Sequence, residues 1–171
     1  MAPDSLANIY DLYNHALFIY AVRLLGDSDQ AEDCVAETFS RLLKALRAGQ
    51  GPRDHLQAYL YRVAHNWITD HFRRHPLPPL DLHENIQSDP ALSPANQVEK
   101  RLVEEKVRKA LTHLTPDQRH VVVLRFFEGW ALDEVSVSMD KPVGAIKALQ
   151  HRAMEALKVL LPEYTPDGFI L

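Results

Sequence analysis

Three side chains near the end of the sequence could contact nucleic acid. Lys147, His151 and Arg152 fall within 143–157, a segment whose apolar residues have helical spacing. Lys147 and His151 are four residues apart, so they share one face of such a helix. Cationic side chains on a helix that fits the major groove can contact phosphates and guanine edges. The pattern suits a DNA-recognition helix and an ordinary solvent-exposed face equally well.

The residues before this segment predict a helix-turn-helix. Thr115 is a suitable N-cap, and Gln118 stands where a capping box requires it. Gly129 can adopt the left-handed geometry that closes that helix. A short helix over 132–139 and a turn at 140–142 follow. Two short helices joined by a tight turn are typical of helix-turn-helix proteins.

No other residue pattern predicts chemistry. The sequence has no Gly-rich phosphate loop, nucleophile elbow or Cys-rich zinc spacing. His71 and His75 have the i, i+4 spacing of metal ligands, but Arg73 and Arg74 lie between them, the glutamate of a zinc protease is missing, and Pro76 ends the helix. We therefore expect no enzyme activity, no metal and no cofactor.

The composition describes an ordinary soluble protein of one larger or two small domains, with 46% apolar and 25% charged residues in 171. Its single cysteine, Cys34, excludes an intrachain disulfide and fits a small buried hydrophobe. Apolar runs are too short to span a bilayer and no signal peptide is recognisable, so we expect a cytoplasmic protein. A net charge of −4 argues against indiscriminate coating of nucleic acid, but not against local DNA binding.

The acidic second helix offers a candidate docking surface. Periodicity predicts a first helix ending at Gly26 and a second one capped by Asp27. The second helix turns Asp33, Glu37 and Arg41 outward with i, i+4, i+8 spacing. This row either docks on a basic or mixed partner surface, or is a solvated face in which the Glu37–Arg41 pair contributes ~0.3 kcal/mol.

A third helix, predicted over 56–74, combines cations with aromatic residues. Its expected core residues are Leu56, Leu60, Val63, Trp67 and Ile68. Its opposite face carries Arg62, Asn66, Thr69, Asp70 and Arg73, with the aromatic residues Tyr59, Tyr61 and Trp67 on or beside it. Such a surface could hold a nucleic-acid backbone and stack unpaired bases. Alternatively, the aromatic rings belong to the core and the arginines only favour solubility.

A proline-rich linker predicts how the chain is divided. Residues 75–97 contain five prolines and no Lys or Arg. The sequence therefore predicts an all-α fold of two small helical domains, 1–74 and 98–161, each marginal alone, with the linker over 75–97 and a tail over 162–171. The second domain opens with a helix over 98–113, whose expected inward residues are Leu102, Val103, Val107, Ala110, Leu111 and Leu114.

Three stretches together resemble bacterial RNA polymerase sigma factors of the extracytoplasmic-function (ECF) group in the sigma-70 family. Residues 31–39, AEDCVAETF, are similar to the AEDLVQETF signature of region 2, and residues 58–74, AYLYRVAHNWITDHFRR, to AWLYRIARNLAIDHLRR. Residues 114–129 and 142–147 resemble region 4. The resemblance is collinear over about 11–160, and its region 2 signatures are specific.

The resemblance implies three binding surfaces. In that family the acidic helix docks on the clamp coiled coil of core polymerase, here through Asp33, Glu37 and Arg41. The following loop and helix hold the minus-ten element, here through Gln50, Arg53, His55, Arg62, Asn66, Asp70, Arg73 and Arg74. Region 4 packs on the polymerase flap and recognises the minus-thirty-five element, here through Val143, Gly144, Ala145, Lys147, Ala148, His151 and Arg152. Many members are held inactive by an anti-sigma factor, which is a possible further partner.

Several positions depart from the family pattern. Ala36 replaces glutamine, Tyr59 replaces tryptophan and Lys141 replaces an aliphatic residue. Trp130-Ala131 stands where a small apolar residue and a Ser/Thr cap are common, so the next helix is less well capped. The pair at 149–150, Leu-Gln, replaces Arg-Leu and removes an arginine that could contact DNA. We expect Trp130 to pack in the core rather than contact a partner.

The sequence therefore predicts a factor that binds core RNA polymerase and promoter DNA and directs promoter-specific initiation. One alternative is a helix-turn-helix regulator that binds duplex operators without polymerase. Another is an adaptor that binds polymerase but has lost promoter recognition, which the departures in region 4 keep open.

Overall fold

The structure is a computed structural model that describes residues 3–76 and 95–162. Within these ranges there are seven α-helices and no strand, so the all-α prediction is confirmed. The helices are α1 (Pro3–Leu25), α2 (Ser28–Arg47), α3 (Leu56–Arg74), α4 (Ala95–Thr112), α5 (Pro116–Val122), α6 (Leu132–Met139) and α7 (Val143–Leu160). Most of the predicted linker and nearly all of the predicted tail lie outside the described residues.

The helix ends follow local capping chemistry. The Asp27 side chain accepts a hydrogen bond from the backbone N–H of Gln30 at 2.9 Å, as its N-cap position predicts. Thr115 and Gln118 form the predicted capping box at the start of α5. Asp140 closes α6 with a φ of 51°, a left-handed conformation that aspartate tolerates better than most residues. These local features fix where α2 and α5 begin and where α6 ends.

Two elements differ from their predicted form. The helix expected to run to Phe127 ends as α at Val122 and continues as a π-helical turn, Val123–Phe127. In this wider turn the backbone N–H of Glu128 donates to the carbonyl of Val123 at 3.0 Å. Val103, expected to face inward, is 36% exposed because it lies at an apolar groove between α1 and α4.

The buried face of α3 also differs from its prediction. Of the five expected core residues, only Leu60 and Ile68 are fully buried, and the other three are partly exposed. Tyr61, Ala64 and His65 are buried as well. The physical reason is that α3 has neighbours on two sides, with α1 and α2 on one and α6 on the other.

The first half of the described chain (α1–α3) and the second half (α4–α7) pack directly against each other. Contacts join α1 to α4 and α3 to α6, and the buried hydrophobic residues of both halves form one cluster. Trp130 belongs to this cluster, with 6% of its surface exposed, so the expectation that it packs in the core is confirmed. None of the helices described is both long and apolar enough to cross a lipid bilayer.

Candidate nucleic-acid interfaces

Helix α7 presents a cationic face to solvent. Ile146, Ala153 and Leu157 are buried, as their spacing predicts. The other face exposes Gly144, Lys147, Ala148, His151 and Arg152, while Val143 and Ala145 are partly buried. Small residues beside the cations would let the backbone approach DNA closely. The exposed part of this face is therefore cationic and lies outside the buried core.

One polar contact joins α7 to the π-helical turn, and two others brace the segments that lead to α7. The Arg125 guanidinium donates from Nη1 to the carbonyl of Trp130 at 2.6 Å and from Nε to Oε1 of Gln150 at 3.3 Å. The Ser136 hydroxyl donates to the carbonyl of Lys141 across the turn. Gln150, one of the departures from the family pattern, thus contacts Arg125 of the π-helical turn.

Helix α3 and the loop before it present a second cationic surface. Gln50, Arg53 and His55 are exposed in the loop, and His55 has a φ of 54°. On the helix, the exposed or partly exposed residues are Arg62, Asn66, Asp70, Arg73 and Arg74. An ion pair joins Arg73 Nη1 to Asp70 Oδ1 at 3.5 Å, with the Arg73 side chain 74% exposed. Such a pair is weak and leaves the cation available to a phosphate.

A ladder of stacked rings borders this surface. The Trp67 and His71 centroids are 5.2 Å apart, and those of His71 and His75 are 4.6 Å apart. Partial burial lowers the pKa of His71, and the neighbouring His75 and Arg74 lower it further. Among the described residues no group of three or more potential ligands could hold a metal ion. The His71 ring lies between those of Trp67 and His75.

The acidic row on α2 is also open to solvent. Asp33 is exposed, and Glu37 Oε1 accepts from Arg41 Nε at 3.0 Å with both side chains about two-fifths exposed. An exposed pair of this spacing contributes about 0.3–0.5 kcal/mol. Breaking the Glu37–Arg41 ion pair to contact another protein would therefore cost little free energy.

Sequence reasoning missed a buried polar cluster between the two halves. The Tyr20 hydroxyl lies 3.1 Å from His65 Nδ1 and 3.1 Å from His120 Nδ1. Burial chiefly lowers the pKa of His120 to about 3, and the Arg119 and Arg62 charges add to the effect. Burial also raises the pKa of Tyr20 well above its ordinary value. These residues have apolar spacing in their own helices, but no local pattern indicates that they meet.

The same contacts change the predicted DNA surface of α3. Thr69 and Tyr61 were placed on or beside that surface. Instead, Thr69 Oγ1 accepts a hydrogen bond from Arg119 at 3.0 Å, and the Tyr61 ring lies 5.0 Å from that of Trp130. Both residues therefore face the second half of the chain, because α5 and the turn before α6 cover that side of α3.

Two family models match most of the chain. Residues 9–76 match Sigma-70 region 2, and residues 110–159 match Sigma-70, region 4. The chain is 30% identical over 161 residues to the ECF RNA polymerase sigma factor SigL of Mycobacterium tuberculosis, covering 91% of this chain and 88% of SigL. It is 32% identical over 162 residues to the ECF RNA polymerase sigma factor BldN of Streptomyces coelicolor, covering 94% of this chain but only 61% of BldN.

Two solved structures share the fold. The sigma factor RpoE, crystallised with the anti-sigma factor NepR from Bartonella quintana, has a TM-score of 0.62 at 21% identity, over 92% of this chain and 97% of RpoE. CnrH, solved in complex with the cytosolic domain of CnrY, has a TM-score of 0.66 at 20% identity, over 96% of this chain and 92% of CnrH. The family matches and the similarity to SigL show that this chain belongs to the sigma-70 family of bacterial RNA polymerase sigma factors, in its ECF group.

Proposed function

We propose that the chain binds core RNA polymerase and directs promoter-specific initiation through three separate surfaces. The α2 row of Asp33, Glu37 and Arg41 docks on the polymerase clamp. The loop before α3 and the exposed face of α3 hold the minus-ten element. The exposed face of α7 recognises the minus-thirty-five element while the domain around it packs on the flap.

The observation that carries this proposal is the two-sided character of α7. Its apolar residues are buried, whereas Lys147, His151 and Arg152 are exposed. A cationic helix face can enter a major groove while the opposite, apolar face of the same helix stays packed in the core. In α3, likewise, Arg62 and Asn66 are exposed although Leu60 and Ile68 are buried. Neither face is needed for packing, so both are available to DNA.

The remaining features agree with a regulatory subunit that works in the cytoplasm. The surfaces bind and orient other molecules, and the chain performs no catalysis of its own. Because RpoE, which shares the fold, was crystallised with an anti-sigma factor, we include such a factor among the partners of this chain. Affinity for isolated DNA should be weak and salt-sensitive, because few cations contact phosphate. Polymerase provides a second binding site. Because the weak sites are tethered, each raises the effective concentration of the other and the overall affinity increases.

Run-off transcription with core polymerase and a promoter library tests the proposal. We expect transcripts that begin at defined positions only when chain and core are both present. Specific gel shifts on duplex DNA without polymerase would favour the operator-binding regulator instead. Co-purification with core that leaves the start positions unchanged would favour the adaptor that has lost promoter recognition.

A further inference from the structure

An apolar groove lies between α1 and α4 and is open to solvent. Its volume is about 750 Å³. Ile19 and Val103 on its walls are 41% and 36% exposed. Apolar side chains of both helices and of the π-helical turn line it, among them Phe18, Val22, Val107 and Phe127. We call this feature the α1–α4 groove.

The size of the α1–α4 groove suits a few large side chains. Clefts that bind mostly apolar groups commonly enclose about 300–1,000 Å³. Exposed apolar surface of this kind often marks a binding site, because covering it removes apolar area from water. An occupant that offers two or three large apolar side chains would therefore be stabilised here.

The chain itself contains a segment of this composition. Phe169, Ile170 and Leu171 are three consecutive large apolar residues, which we call the apolar run. Residues 77–94, which also lie outside the described residues, contain no such run. Large apolar residues are the ones that most favour burial. The apolar run is therefore the part of the undescribed chain that gains most from an apolar groove.

The apolar run is within reach of the α1–α4 groove. Leu161 is 5% exposed, so the chain is anchored in the core just before the tail begins. Helix α7 contacts α4, which forms one wall of the groove. The eight residues from 162 to 169 span at most roughly 28 Å when extended, and a compact chain of this length is roughly 40 Å across. The run can therefore reach the groove without any helix unfolding.

Charges in the groove complement the residues that precede the apolar run. The tail carries Glu163 and Asp167 but no Lys or Arg. Three arginines and two glutamates also line the groove: Arg23, Arg101, Arg108, Glu104 and Glu105. Arg23 and Arg108 are paired with glutamates, so the exposed Arg101 is the cation that an incoming carboxylate would meet. Such an exposed pair is weak, so it favours one orientation of the tail and the apolar contacts supply the affinity.

We propose that the apolar run docks in the α1–α4 groove of its own chain. Phe169, Ile170 and Leu171 then cover apolar side chains of α1, α4 and the π-helical turn, and Asp167 lies beside Arg101. The run acts as an intramolecular ligand of the groove. This goes beyond the proposed function, because none of the three surfaces proposed for polymerase and promoter takes part.

Disulfide trapping in the full chain tests the docking. Ile170→Cys is combined with Val103→Cys in the groove or, as a control, with Val137→Cys, which replaces a similarly exposed valine on α6. The native Cys34 stays in place because it is buried. A disulfide requires Cα atoms about 4.4–6.8 Å apart. Docking raises the local concentration of the tail thiol at the groove, so the pair with position 103 should close at least about 10-fold faster.

Two matched tail variants separate docking from proximity alone. In the chain with Ile170→Cys and Val103→Cys, Phe169→Asp places a charge within the apolar run and should slow disulfide formation at least about 5-fold, because burying an unpaired charge is costly. Thr165→Asp adds the same charge outside the run and should leave the rate unchanged. Circular dichroism should show the same helix content for both variants.

Peptide mapping identifies which chain each disulfide joins. Equal rates for the two cysteine pairs, or an unchanged rate with Phe169→Asp, would overturn the proposal. A disulfide between two chains, visible as a dimer on a non-reducing gel, would overturn it as well, because the occupant would then be a second copy. These measurements use neither polymerase nor promoter DNA, so their failure would leave the proposed function standing.

Discussion

The imidazoles of His65 and His120 stack 4.1 Å apart while sharing the single hydroxyl of Tyr20. A hydroxyl has one hydrogen, so it donates to one Nδ1 and accepts from an N–H at the other. One ring therefore accepts and the other donates at Nδ1, and burial keeps both rings neutral because it lowers the pKa of each. Adding a proton to the ring that accepts at Nδ1 would leave the hydroxyl hydrogen without its acceptor, and adding one to either ring would place a positive charge near the Arg119 guanidinium.

This arrangement predicts that the free energy of unfolding decreases in acid. Burial lowers the pKa of His120 to about 3 and that of His65 well below its ordinary value, and the Arg119 charge adds to both shifts. The unfolded chain takes up these protons below about pH 6.5 but the folded chain does not, so stability is complete above that pH and falls below it. Lowering the pH from 7.5 to 5.5 should cost about 2–3 kcal/mol in the free energy of unfolding, measured by urea denaturation.

Substituting His120 isolates the contribution of its ring to this pH dependence of stability. In His120→Asn the side-chain amide no longer titrates, so roughly half of this pH dependence should disappear. The exposed His151 provides the control, and His151→Asn should keep the wild-type dependence. An unchanged slope in His120→Asn would mean that the buried rings do not cause the effect.

Trp130 should contribute strongly to stability. Its ring packs edge-on against Tyr61 with centroids 5.0 Å apart, and only 6% of its surface is exposed. Trp130→Ala would leave a cavity between the halves and should lower the free energy of unfolding by about 3 kcal/mol or more. Trp130→Phe, which keeps an aromatic edge at this position, should cost clearly less. A loss below about 1 kcal/mol for the alanine variant would place Trp130 outside the core and favour a partner contact.

The elements that local chemistry defines were predictable from sequence. The bounds of α3 and α6, the cap at Asp27 and the capping box at Thr115 all depend on residues within a few positions of one another. The inward face of α7 follows from the same kind of periodicity. Its outward face could therefore be assigned from the residue spacing alone, because the two faces of a helix are complementary.

The packing between the halves could not be predicted in this way. Tyr20, His65 and His120 come from three helices, and nothing in the neighbourhood of any one of them identifies the other two. Arg119 illustrates the difficulty, since an arginine beside an apolar run suggests solvent exposure, yet it is 3% exposed. The π-helical turn was missed because its residues continue an ordinary helical pattern. Tertiary contacts decide these features.

The α2 row should control association with core polymerase. Asp33→Lys with Glu37→Lys reverses two exposed charges and should weaken association at least about 100-fold, because like charges meeting across an interface cost several kcal/mol. Co-elution with core on gel filtration measures the loss, and circular dichroism should show an unchanged helix content. Glu99→Lys with Glu104→Lys makes the same change in net charge at exposed positions of α4 and should co-elute normally. Normal co-elution of the α2 variant would remove this helix from the polymerase interface.

The exposed cations of α7 should control use of the upstream element. Lys147→Ala with Arg152→Ala should cost about 1–3 kcal/mol for each contact to a base, or weaken binding uniformly where the contact is to phosphate. The readout is run-off transcription from paired promoters that differ only in the minus-thirty-five element. Lys158→Ala removes an exposed lysine at the far end of the same helix, where it pairs with Glu155 at 2.9 Å, and should leave the ratio between the promoters intact. If the double variant lost transcription equally from both promoters, α7 would not recognise the element, because a base contact must distinguish the two sequences while a general loss of charge does not.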